Sequence, residues 1–167
     1  MRDSRLPRTL FWLLVAVAAA QIWMYYARLP DTLASHFDGR GTPNGWQTKG
    51  VFFGFYLGGI VLAAALCYGV PKMVAAMPYS LIHLSHKEYW LSPERRADTL
   101  AYIANFFAWF SCAVFFVEVT AVEYAIRANL APDQRFAASV LWWVLGGFFA
   151  FVVVWIGRFI AHFAKRP

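Results

Sequence analysis

Apolar residues in this chain form long runs, without the regular spacing of a half-buried surface helix or strand. Four runs stand out, at residues 9–27, 51–70, 100–124 and 136–157. Each has about the 20 residues that a helix needs to cross a hydrocarbon core of ~30 Å. Polar text separates them, chiefly in loops at 28–50 and 71–99. The pattern predicts an all-α, polytopic integral membrane protein. Its four transmembrane helices form a bundle within one membrane domain over 1–167, with a structured loop at 28–50. The first run follows Arg2, Arg5 and Arg8 and contains an Ala18-x-Ala20 sequence, as a secretory signal would. The apolar text continues through Ile22 to Tyr26, so the expectation is a retained helix.

Composition agrees. Of 167 residues, 60% are hydrophobic and 14% charged, against about 45–50% and 25% in soluble domains. The net charge of +6 is explained by basic residues flanking the runs. Ten of the 15 Lys and Arg fall in the N-terminus, the 71–99 loop and the C-terminus. The positive-inside rule then places both termini in the cytoplasm, with 28–50 outside and 71–99 inside. No basic, aromatic-interleaved polar segment suggests nucleic acid. The expected partners are the lipid bilayer and a membrane protein or a second copy. Cys67 and Cys112 lie within apolar runs and read as buried thiols. Trp12, Tyr25, Tyr26, Phe52, Phe53, Tyr124, Trp142 and Trp143 fit interfacial belts. Gly54 and Gly58 make a small-x-x-x-small spacing that suits a helix contact.

The candidate chemistry is sparse. In the outer loop, Asp31 is placed to N-cap a short helix over 32–37. Gly39 and Gly41 would end it, and Thr42-Pro43-Asn44-Gly45 reads as a tight turn. His36, Asp38 and Arg40 form a candidate polar site, or a loop hydrogen-bonded to itself. One His and one Asp are too few for a structural zinc site, so no metal and no cofactor are expected. Glu118 lies inside the third run, where a carboxylate needs a partner or a water-filled cavity. The expected partner is His36 or an arginine. Glu123 precedes Arg127 by four residues, the favourable order for an ion pair. Glu118 and Glu123 therefore join the candidate outer site.

In the inner loop, His83 and His86 would share a helix face, which is weak evidence for a metal. Ser92-Pro93-Glu94 reads as the start of the third helix. The segment 79–91 suits either a membrane-surface segment or a docking surface, with Lys87, Tyr89, Trp90, Glu94, Arg95 and Arg96 as candidates. No nucleophile elbow, zinc-protease, phosphate-loop or dinucleotide motif is present, and the expectation is a non-enzyme.

The outer loop resembles a family. Pro30, Leu33, His36, Phe37, Asp38, Gly41, Pro43, Asn44, Trp46 and Lys49 stand in register with the signature of domain of unknown function 1648. The resemblance covers roughly the first 75 residues. The Lys87–Arg96 run is also similar to bacterial members. The family includes the N-terminal module of SdpI-type immunity proteins. The resemblance thus implies a membrane module that binds a ligand or partner at its outer face. The alternative reading is an accessory subunit of a larger membrane complex. A proton-coupled transporter would rest on Glu118 alone.

Overall fold

The computed structural model describes residues 5–164; Arg2, Lys165 and Arg166 of the charge count lie outside the described residues. The order is α1 (Arg5–Tyr25), β1 (Thr32–Phe37), β2 (Pro43–Thr48), α2 (Lys49–Ala64), α3 (Val70–Ala76), α4 (Lys87–Trp90), α5 (Arg96–Leu130) and α6 (Ala138–Phe163). A π turn over Ala65–Gly69 joins α2 to α3 without a break. Four stretches are long and apolar enough to cross a membrane: α1, Lys49–Ala76, α5 and α6.

The structure corrects the all-α expectation in the 28–50 loop, which is an antiparallel β-hairpin. It also moves the helix ends. Pro71 does not stop the second span. A proline ring strikes the carbonyl four residues back in a regular helix. Here the turn before it is widened, with the Val70 N–H bonded to the Ala65 carbonyl five residues back. The helix continues to Ala76 and ends where Met77 takes extended backbone ahead of Pro78. Helix α5 begins at Arg96 instead of Ser92. The Ser92 carbonyl accepts from the Arg95 and Arg96 N–H groups at 3.0 and 2.9 Å, making a preliminary turn.

The core is a seam between α1, α2 and α5. Ala18, Ala63 and Ala108 are fully buried, so the backbones approach closely there. The Phe11 and Phe115 rings meet at 5.7 Å. Ser111 Oγ donates to the Ala63 carbonyl at 2.7 Å. Cys67 and Cys112 are buried free thiols. Gly54 and Gly58 are not part of this seam, since a Cβ at either would meet nothing within 4 Å. Phe52 and Phe53 are buried, so they belong to the packing and not to an interfacial belt. Helix α6 leans on α5 from outside the seam. Trp155 stacks on Phe106 at 3.8 Å, and its indole N–H donates to the Phe106 carbonyl at 3.1 Å. The apolar stretch of α6 has no buried residue.

Candidate functional site

The hairpin forms because two six-residue segments pair across residues 38–42. Thr32 faces Thr48, Leu33 faces Gln47 and Ala34 faces Trp46. Beyond Ala34 the register slips twice, so His36 pairs with Gly45 and Phe37 with Pro43. Ser35 and Asn44 are the extra residues of these bulges. Asn44-Gly45 is therefore strand, not the expected turn, and Asp31 caps no helix over 32–37. The bulge sets Asn44 beside His36, whose Nδ1 shares a hydrogen bond with Asn44 Oδ1.

The real turn is built by Asp38. Its Oδ1 accepts from the Arg40 and Thr42 N–H groups at 2.8 and 2.9 Å. These bonds, that from Thr42 first, hold the Asp38 carboxyl below its usual range. Gly41 closes the turn with φ +82°, a left-handed conformation that glycine adopts without penalty. Its carbonyl accepts from the Phe136 N–H at 2.9 Å. A Cβ on Gly41 would overlap the Phe136 carbonyl. Phe37 and Phe136 meet ring to ring at 5.0 Å.

Two side chains fix the hairpin to the helices. Asn129, buried near the end of α5, accepts from the Ala34 N–H at 2.8 Å and donates to the Ala34 carbonyl at 2.8 Å. Its amide thus pairs with the free edge of β1 as a neighbouring strand would. Lys49 Nζ donates to the Leu29 carbonyl at 2.8 Å and the Tyr26 carbonyl at 3.3 Å, tying down the turn that follows α1. Asp31 lies 3.5 Å from the same ammonium. Pro30 and Trp46 are exposed.

A polar string runs through the helices on the hairpin side of the seam. Gln21, buried on α1, accepts from the Tyr56 hydroxyl. Its amide nitrogen donates to Glu123 Oε2 at 2.9 Å and to the Val119 carbonyl at 3.2 Å. Glu123 also accepts from Tyr25 and, at 2.7 Å, from Arg127. The expected i,i+4 pair forms, but as one member of a larger network. The expected partner of Glu118 does not. His36 is held by Asn44, and no described arginine forms an ion pair with the carboxylate. Glu118 instead lies directly over Gly59, where a Cβ would overlap it. Glu118 and Glu123 are thus separate from His36 and Asp38.

His36 and Asp38 border a cleft at the hairpin end, between the hairpin, α5 and the start of α6. It encloses about 560 Å³, and Phe37, Phe136, Leu141 and Trp142 form much of its wall. That size suits an apolar ligand carrying a few polar groups.

At the opposite end the 71–99 loop folds back on the helices. His83 and His86 share no helix face, because His86 is left-handed at φ 53°. Arg95 lies over the Tyr89 ring at 4.0 Å and Lys87 over Tyr79 at 4.6 Å. Trp90 packs on His162 and Phe163, and its carbonyl accepts from Thr99 at 2.7 Å. Arg96 donates to the Ala75 carbonyl at 3.1 Å. Glu94 is exposed. Of the predicted docking residues, Trp90 and Arg96 are therefore engaged in holding the loop.

Sequence reasoning did not pick out Asn129, which fixes the hairpin, or the Gln21–Tyr56 pair of the polar string. Gln21 carried a signal as a strongly polar residue inside the first apolar run. Asn129 carried little, because it falls just beyond the third run. The domain described as Domain of unknown function (DUF1648) matches residues 12–60. The match spans the hairpin and every motif position from Pro30 to Lys49, and stops short of the 75 residues expected. Neither the curated proteins nor the solved structures give a match.

Proposed function

We propose that this chain, which carries the DUF1648 domain over residues 12–60, is a non-enzymatic, multi-pass protein of the bacterial inner membrane. The hairpin end faces outward, both termini face the cytoplasm, and the cleft at the hairpin end binds an extracytoplasmic amphiphilic ligand. The cleft carries this reading: it encloses about 560 Å³ with an apolar wall and His36 and Asp38 at its border. Asn129, Lys49 and Gly41 hold the hairpin in place independently of any ligand. Binding therefore requires little ordering of the chain, which favours affinity. Immunity to a secreted toxin, implied by the SdpI-type resemblance, is one form of such binding.

A second reading rests on α6, whose apolar stretch buries nothing within the chain. Trp143 and Val153 are strongly exposed. An accessory subunit would use this face against a membrane partner.

Two experiments separate these readings. Both native thiols are buried, so single cysteines introduced as Arg40→Cys and Glu88→Cys report topology. An impermeant maleimide should label the first in intact cells and the second only after permeabilisation. The reverse pattern refutes the orientation. A photo-crosslinking residue at Ser35, in the cleft wall, should then capture an extracytoplasmic peptide or protein. Leu141→Trp, which fills the cleft, should abolish capture. Capture only from position 153, of a stoichiometric membrane protein, establishes the subunit reading instead.

A further inference from the structure

A second cleft lies between α5 and α6 at the end opposite the hairpin, and encloses about 440 Å³. Its lining is graded along the helix axes. Arg158 and Tyr102 stand nearest the helix ends. Asn105 and Trp155 lie about one turn further in, and Trp109 and Phe151 another turn beyond. From Tyr102 to Trp109 the cleft spans about 10 Å of helix. Arg158 is exposed and forms no ion pair with a described residue. Asn105 sets a polar amide inside this cleft, and its buried oxygen accepts no hydrogen bond from a described residue.

We propose that this cleft holds one anionic phospholipid, of the phosphatidylglycerol class, from the leaflet on the side away from the hairpin. Its phosphate sits on Arg158, its ester-linked glycerol lies at the level of Asn105, whose amide nitrogen donates to an ester carbonyl, and an acyl chain lies along Trp109 and Phe151. The proposal rests on the membrane reading given above. The grading argues for an amphiphile, because a free phosphate would use the basic mouth and leave the aromatic floor uncovered. Charge argues for an anionic headgroup over a zwitterionic one. The segments gathered at this end carry Lys72, Lys87, Arg95, Arg96 and Arg158 against Glu88, Glu94 and Asp98. A juxtamembrane excess of basic residues favours anionic lipid.

The test uses the full chain in phosphatidylcholine nanodiscs doped with lipids whose acyl chains are brominated, which quench nearby tryptophan fluorescence. The Trp109-specific signal is the difference from Trp109→Phe. Brominated phosphatidylglycerol should reach it with about fivefold preference over brominated phosphatidylcholine, as one basic contact to an anionic headgroup would give. Arg158→Gln should remove the preference, and Arg158→Lys should retain most of it. Arg158 is exposed, so its exchange does not threaten the fold. Soluble glycerol phosphate should not compete. Equal quenching by both headgroups, an unchanged preference in Arg158→Gln, or competition by glycerol phosphate overturns the proposal. A chain that cannot be inserted into nanodiscs refutes the membrane reading itself.

Discussion

Replacing Asn129 with alanine removes three hydrogen bonds of 2.8 to 2.9 Å and strands both backbone groups of Ala34. Ala34 is 1% exposed, so water does not replace the lost partner without opening the hairpin. An unsatisfied buried donor or acceptor costs about 1–3 kcal/mol. Two such groups put the floor near 2 kcal/mol, or roughly a 30-fold shift in an equilibrium. The Ala125 carbonyl, also bonded by Asn129, remains inside a helix and adds little. The loss falls on hairpin docking, because the seam between α1, α2 and α5 does not involve Asn129. Hydrogen exchange followed by mass spectrometry in detergent micelles reads this directly. Peptides covering 29–37 should exchange about 30-fold faster in Asn129→Ala, while peptides from 105–120 keep their protection. Asn129→Asp should not rescue it, since a carboxylate accepts from the Ala34 N–H but donates nothing to its carbonyl. Unchanged exchange over 29–37 would show that the amide bridge does not hold the hairpin.

Other positions give sharper contrasts. Gly41→Ala meets both a left-handed φ, costing about 1–2 kcal/mol, and the Phe136 carbonyl. Trypsin should cut faster at Arg40 in that variant, and Gly39→Ala, with open space around its Cβ, should leave the rate unchanged. Lys49→Met should lower the melting temperature through the loss of about 2 kcal/mol of charge-assisted hydrogen bonding; an unaltered melting curve would make the lysine dispensable. The Asp38 carboxyl should titrate below its ordinary 3.8. Its contribution to the turn is then complete above that value and is lost as pH falls through the lower, folded-state pKa. A carbon-detected NMR titration giving 3.8 or higher would contradict the two backbone bonds.

Hydropathy made the four long helices legible, because apolar runs of about 20 residues are their own signal. It missed their ends, since polar residues there are recruited by other elements. Thr99 and Arg96 extend α5 by bonding the Trp90 and Ala75 carbonyls, and Asn129 extends it by bonding Ala34. The hairpin was illegible because its two bulges break strand alternation, and Asn44-Gly45 imitates a turn that lies a few residues earlier. Asp38 was read either as part of a polar site or as part of a loop bonded to itself, and its bonds to the Arg40 and Thr42 N–H groups are of the second kind. His36 was expected to reach Glu118, but the bulge hands it to Asn44, a contact that register alone decides. The Glu123–Arg127 pair was readable because it depends only on helical spacing.

Helix α5 has 35 residues and contains neither proline nor glycine. At 1.5 Å per residue it is about 52 Å long, well beyond a ~30 Å hydrocarbon core. Asn129 near one tip grips the hairpin, and Thr99 near the other grips the loop that Trp90 anchors. Both grips sit on one uninterrupted helix, so a shift of α5 along or about its axis would move the hairpin and the far loop together. The second span is built differently: its continuous run of i,i+4 bonds is interrupted by the widened turn before Pro71, so the two longest helices at this end are not equivalent.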